Sequence, residues 1–129
     1  MRRLKVLRHI FRFRGFIESL WLALVGIGYL FVYHRNMRLI FIAGVAVFLL
    51  GIYFQLKGIE LVALCITITL VFMAEIFNTA IELLLDMRNH KYHTLIKLVK
   101  DISAAVVLIA TLNALVVGYI LFAKKLLYR

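Results

Sequence analysis

The sequence contains no proline, a single cysteine and only six acidic residues among 129. One cysteine excludes an intramolecular disulfide and a metal site built from cysteines of one chain. The shortage of acidic residues leaves a net charge of +10, while 65% of the residues are apolar and the mean hydropathy is +1.02. A soluble domain this small could not bury so much apolar surface, whereas a bilayer accommodates it. The composition therefore predicts an integral membrane protein.

Three apolar runs are long enough to span a bilayer, which takes about 20 helical residues. They cover residues 39–56, 61–85 and 102–123. A polar stretch rich in lysine, arginine and histidine, residues 86–101, separates the last two runs. The pattern predicts an all-α membrane protein with three transmembrane helices, folded as a single domain over the whole chain.

The N-terminal part of the chain differs from these runs. Residues 1–18 alternate basic and apolar side chains, which is typical of a segment lying on a membrane surface. The apolar run Leu20–Tyr33 that follows has 14 residues, which is short for a span. We therefore expect a basic extension and an N-terminal amphipathic surface helix ahead of the three transmembrane helices.

Basic residues are distributed unequally between the two sides of this predicted topology. Twelve lysines and arginines lie on the side of the N-terminus and of residues 86–101, and four lie on the other side. If Leu20–Tyr33 also crossed, the split would be ten against six. Because positive residues accumulate in the cytoplasm, the steeper split predicts a cytoplasmic N-terminus and an external C-terminus. The basic residues flank apolar runs instead of forming one patch with interleaved aromatics, so nucleic acid is not an expected partner.

Polar residues interrupt the second apolar run at regular intervals. At about 100° per helical residue, Glu75, Asn78, Glu82 and Asp86 fall on one stripe roughly 80° wide. Placing a charged group at bilayer depth costs at least ~2.5 kcal/mol. Such a stripe therefore indicates a functional site.

Two kinds of chemistry fit this stripe. Carboxylates near a membrane surface can hold Mg²⁺ together with substrate phosphates, and one of them can accept a proton from a hydroxyl. The chain has no GxxxxGK[ST] motif, so a nucleotide would be held without a P-loop. The alternative is a proton relay in a small transporter, which also uses intramembrane glutamates.

Three segments resemble one known family. Residues 74–86, AEIFNTAIELLLD, resemble the signature of the prokaryotic diacylglycerol kinase family, which includes undecaprenol kinases. Residues 92–101, YHTLIKLVKD, are similar to a second motif of that family, and residues 34–38, HRNMR, to its E-x-N-x-R segment. The resemblance extends from about Ser19 to Phe122.

The resemblance implies an ATP-dependent kinase that phosphorylates a membrane lipid hydroxyl, of diacylglycerol or undecaprenol, using Mg²⁺. It implies a multi-pass protein of the bacterial cytoplasmic membrane, acting at the cytoplasmic face as a homotrimer with shared active sites. The implied roles are catalytic for Glu75 and Asn78, metal-binding for Glu82 and His34, and nucleotide-binding for Asp86, Tyr92, His93, Lys100 and Asp101. Glu75 matches the family's general base.

The chain departs from the family pattern at His34 and Leu83, among other positions. His34 stands where the family has a glutamate, and neutral imidazole is a poor ligand for the hard Mg²⁺ ion. Leu83 stands where a small residue is usual. Two alternatives to an active kinase are therefore a catalytically weakened member serving in membrane assembly or lipid binding, and a small proton-coupled transporter.

Overall fold

The computed structural model describes residues 15–87 and 94–127, and within these ranges the chain is helical and contains no strand. The helices are α1 (Phe16–Tyr33), α2 (Arg35–Tyr53), α3 (Ile59–Asp86) and α4 (Thr94–Leu127). All four are long and apolar enough to cross a membrane. The prediction of an all-α membrane protein is confirmed.

The three predicted spans correspond to α2, α3 and α4. Helix α4 is longer than its predicted span, because it begins at Thr94 and includes the polar residues up to Asp101. Lysine and leucine dominate this first part, and both are good helix formers. Residues 94–101, which precede the predicted third span, therefore belong to the same helix as that span.

The N-terminal helix is longer than the apolar run that predicted it. It begins at Phe16, so that Glu18 lies in the first turn, where an acidic residue is favourable to the helix dipole. With 18 residues, α1 meets the length and composition of a membrane span, which makes four candidate spans instead of three. From Leu20 to Tyr33 it carries no charged residue, and hence no polar face of an amphipathic helix. Its location at the membrane surface stays a prediction.

The described residues form two compact units, with α1 and His34 in the first and the remaining helices in the second. Within the second unit, α3 packs against both α2 and α4. Two glycines of α2 make the first of these contacts close. A Cβ atom added at Gly51 would lie 2.6 Å from Cδ2 of Leu64, and one at Gly44 would lie 2.9 Å from Cγ2 of Ile68. The absence of a side chain at these positions therefore allows α2 to approach α3.

A tight turn joins α2 to α3. Gln55 has a left-handed backbone with φ of 56°, and the N–H groups of Gln55 and Leu56 donate to the carbonyls of Ile52 and Gly51, both at 2.9 Å. This is the Schellman arrangement that ends many helices. Gly58 then precedes α3 with φ of 55° and ψ of −126°, a conformation that favours glycine. Backbone geometry thus ends α2 at Gln55 and allows α3 to begin after Gly58.

Helices α3 and α4 run antiparallel, as contacts at their two ends demonstrate. At one end, Nζ of Lys125 lies 3.4 Å from Oε2 of Glu60. At the other end, Oγ of Ser103 lies 2.8 Å from Oδ1 of Asn78. The second contact lies among the polar residues of α3, so the C-terminal half of α3 and the start of α4 together form the candidate site.

Candidate functional site

The polar stripe lies on one uninterrupted helix, since α3 runs from Ile59 to Asp86 without a break. Its members differ in burial. Glu75 is 6% exposed, Asn78 and Glu82 are half-buried, and Asp86 at the helix end is exposed. The stripe therefore leads from a buried carboxylate to the polar end of the helix.

Glu75 is the most buried charged residue of this stripe. Among residues 15–87 and 94–127 it has no hydrogen-bond or ion-pair partner, and its buried neighbours on α3 include Ala74 and Thr79. The chain by itself buries Glu75.

Glu82 lies seven residues after Glu75, which is about 10 Å along the helix axis. This separation of two turns favours different roles for the two carboxylates. Glu75 is enclosed by the chain's own helices, and Glu82 lies nearer the polar end of α3.

Lys100 and Asp101 lie in the second turn of α4 and are exposed. Because the helices are antiparallel and Ser103 contacts Asn78, Lys100 lies at about the level of Glu82. Glu82 and Lys100, both within the described ranges, form no ion pair with each other, so their charges are not neutralised by that contact. An anionic ligand and a cation could therefore bind at this level.

Ser103 is a member of the site that the sequence patterns did not reveal. It is 9% exposed, and its hydroxyl contacts both Asn78 and the carbonyl of Lys100. One signal was present, since Ser103 is a hydroxyl residue three positions after Lys100 at the start of an apolar run. Its partner on α3 could not be read from the sequence.

The other predicted residues are more distant along the chain. His34 is half-buried and follows α1; its backbone N–H donates to the carbonyl of Leu30 at 2.9 Å, and its ring centroid lies 6.0 Å from that of Tyr29. Tyr92 and His93 lie outside the described residues.

The donor set can be compared with the needs of a metal ion. Within residues 15–87 and 94–127, no group of three or more His, Cys, Asp or Glu side chains is placed to hold a metal. Glu82 and Asp86 nevertheless offer hard oxygen donors of the kind that Mg²⁺ prefers, and this ion commonly uses one or two protein carboxylates with substrate phosphates. The oxygen donors of Glu82 and Asp86 are therefore of the type that Mg²⁺ binds, and substrate phosphates would supply further ligands.

Comparison with known proteins identifies a family and two relatives that this chain resembles. The family described as prokaryotic diacylglycerol kinase matches residues 21–122, a stretch that includes every predicted site residue. A diacylglycerol kinase of Synechocystis sp. is 37% identical over 106 residues, covering 81% of this chain and 61% of the relative. An undecaprenol kinase of Bacillus subtilis is 33% identical over 92 residues, covering 71% of this chain and 75% of the relative. The chain thus spans about three fifths of the length of the first relative.

Proposed function

Because this chain belongs to the prokaryotic diacylglycerol kinase family, we propose that it is a membrane lipid kinase that transfers the γ-phosphoryl group of ATP to a lipid hydroxyl. The names of its relatives suggest diacylglycerol or undecaprenol as the acceptor. The observation that carries the proposal is the position of the buried Glu75, which shares one helical face with Asn78 and Glu82. Lys100 of α4 lies at about the level of Glu82.

In the proposed reaction, Glu75 accepts the proton of the lipid hydroxyl while the hydroxyl oxygen forms a bond to the γ-phosphorus. The bond between the γ-phosphorus and the bridging oxygen breaks, and ADP leaves. The position of Glu75 on the same helical face as Asn78 and Glu82 supports this role, because the base and the phosphate ligands have to converge on one site. Phosphoryl transfer otherwise needs mainly positioning and neutralisation of charge.

Glu82 is the proposed Mg²⁺ ligand, and the ion when bound would neutralise charge on the phosphates of the nucleotide. Lys100 is the proposed phosphate partner, because it is an exposed cation at about the level of Glu82. Asn78 is the proposed active-site amide between the two carboxylates. Asp86, Tyr92, His93 and Asp101 complete the proposed nucleotide-binding set.

We further propose that the protein acts at the cytoplasmic membrane face and assembles as a homotrimer. Half-exposed Glu82 supports assembly, since an acidic side chain near the membrane is stabilised when a neighbouring subunit covers it. We expect the detergent-solubilised protein to have the mass of three chains by light scattering. A monodisperse monomer that still binds nucleotide would contradict this part of the proposal.

Transfer of radiolabel from γ-labelled ATP tests the function. Mixed micelles would offer diacylglycerol and undecaprenol in parallel, and the lipid fraction would be counted with and without Mg²⁺. We expect Mg²⁺-dependent labelling of at least one lipid. Nucleotide binding without any labelling would instead favour a catalytically weakened family member, and proton-coupled solute flux in vesicles would favour a transporter.

A further inference from the structure

The contact between Ser103 and Asn78 joins α4 to the polar stripe of α3. Oγ of Ser103 lies 2.8 Å from Oδ1 of Asn78 and 2.9 Å from the carbonyl oxygen of Lys100. The serine is 9% exposed, so water has little access to this contact. One buried hydroxyl therefore connects the amide of the site with the backbone of the residue proposed to bind phosphate.

The hydroxyl has only one proton to donate, although two acceptors lie within reach. A serine inside a helix commonly donates to a carbonyl three or four residues earlier, which here is that of Lys100. The oxygen of the Asn78 amide competes for the same proton. The Asn78 amide is held more strongly when its oxygen, instead of the Lys100 carbonyl, accepts this proton.

The charges around Asn78 favour one orientation of its amide. Glu75 lies three residues before it and Glu82 four residues after it, so both carboxylates are neighbours on the same helical face. Negative groups attract the N–H donors of an amide and repel its oxygen. The amide is therefore stabilised with Oδ1 toward Ser103 and with Nδ2 available to anionic oxygens of the site.

We propose that Ser103 is a positioning residue for Asn78, donating to Oδ1 and thereby presenting the Nδ2 donors to the reacting phosphoryl group. This inference rests on the function proposed above, because it gives Asn78 a role in phosphoryl transfer. Without the serine hydroxyl, Oδ1 loses its buried donor and the amide is free to turn its oxygen toward the anionic groups.

Steady-state kinetics of two Ser103 variants test the proposal. Ser103→Ala should lower kcat about 3- to 10-fold, the loss that one hydrogen bond implies, with less than a twofold change in KM for ATP or lipid. Ser103→Thr keeps the hydroxyl and should retain at least half of the activity. The matched control is Thr111→Val, which removes a hydroxyl bonded to the carbonyl of Val107 on the same helix and should leave kcat unchanged.

A double-mutant cycle separates positioning from general damage to the fold. Unfolding midpoints in detergent would be compared for the wild type, Ser103→Ala, Asn78→Ala and the double variant. We expect the second substitution to have less effect once the first is present, since both remove the same contact. Additive effects, a raised KM with unchanged kcat, or equal loss in Thr111→Val would overturn the inference. An inactive wild type would refute the proposed function, while the unfolding cycle would still report on the contact itself.

Discussion

In the proposed function, Glu75 and its neighbours on α3 carry the chemistry of this protein. Their spacing along the sequence predicted a common face, because a continuous helix turns by about 100° per residue, and α3 is continuous over all of them. Their different burial was not predictable in the same way. It depends on which residues of α4 lie opposite, and the pairing of Asn78 with Ser103 is a tertiary contact between residues 25 positions apart.

His34 is the residue at which this chain departs most clearly from the pattern it resembles. The E-x-N-x-R segment of that family has a glutamate at this position, and a carboxylate is a better Mg²⁺ ligand than a neutral imidazole. We expect His34→Glu to lower the Mg²⁺ concentration required for half-maximal phosphoryl transfer and to raise kcat. A magnesium titration of the lipid-labelling assay measures both quantities.

The control for this substitution is His34→Gln, which is polar but adds no negative charge. It should leave the Mg²⁺ requirement at the wild-type value. An equal response of the two variants would show that a carboxylate at residue 34 does not contribute to the metal site.

The helices themselves follow from hydrophobicity, but their ends and contacts follow from local backbone geometry. Long apolar runs predicted α2, α3 and α4, whereas the left-handed conformation of Gln55 at the end of α2 was not expected, because glycine is the usual residue there. The extension of α1 back to Phe16 was also missed, because Glu18 and Ser19 interrupt the apolar run without interrupting the helix.

The close approach of α2 to α3 gives a prediction about stability. Gly51→Ala places a methyl group 2.6 Å from Cδ2 of Leu64, a side chain that is only 1% exposed and has little room to move. We expect the free energy of unfolding to fall by about 1–3 kcal/mol, as is usual when a packed contact is overfilled. Unfolding in mixed detergent micelles, followed by circular dichroism, measures it.

Gly118→Ala is the matched control in α4. A Cβ atom at Gly118 meets nothing within 4 Å, so this substitution should leave stability unchanged or slightly raised, since alanine is the better helix former. Equal destabilisation by both substitutions would contradict a specific contact at Gly51.

The whole molecule combines a basic composition with an antiparallel pair of helices. The Glu60–Lys125 pair and the Asn78–Ser103 contact mark opposite ends of α3 and α4, so the candidate site and the Lys125 end lie at opposite ends of this helix pair. The sequence predicts from its charge distribution that the two ends face opposite sides of a membrane, and this sidedness stays a prediction. The sequence also predicts a surface location for α1, whereas the helix is long and apolar enough to span, so its location stays a prediction.

Reporter fusions at the two termini test the predicted topology. The asymmetric distribution of lysine and arginine predicts a cytoplasmic N-terminus and an external C-terminus. A reporter active only in the cytoplasm should therefore work at the N-terminus alone, and one active only outside should work at the C-terminus alone. Both ends on the same side would show that α1 also crosses the membrane.

The central claim is that Glu75 is the base of a phosphoryl-transfer reaction and that Glu82 acts through the metal. Glu75→Gln and Glu82→Gln preserve size and polarity, so comparing their turnover with their Mg²⁺-dependent nucleotide binding tests the claim most directly. For Glu75→Gln, the account predicts a fall in kcat of roughly 10²–10⁴-fold with nucleotide affinity nearly unchanged. For Glu82→Gln, it predicts weaker Mg²⁺-dependent nucleotide binding together with a lower rate. A Glu75→Gln variant with wild-type turnover would contradict the account.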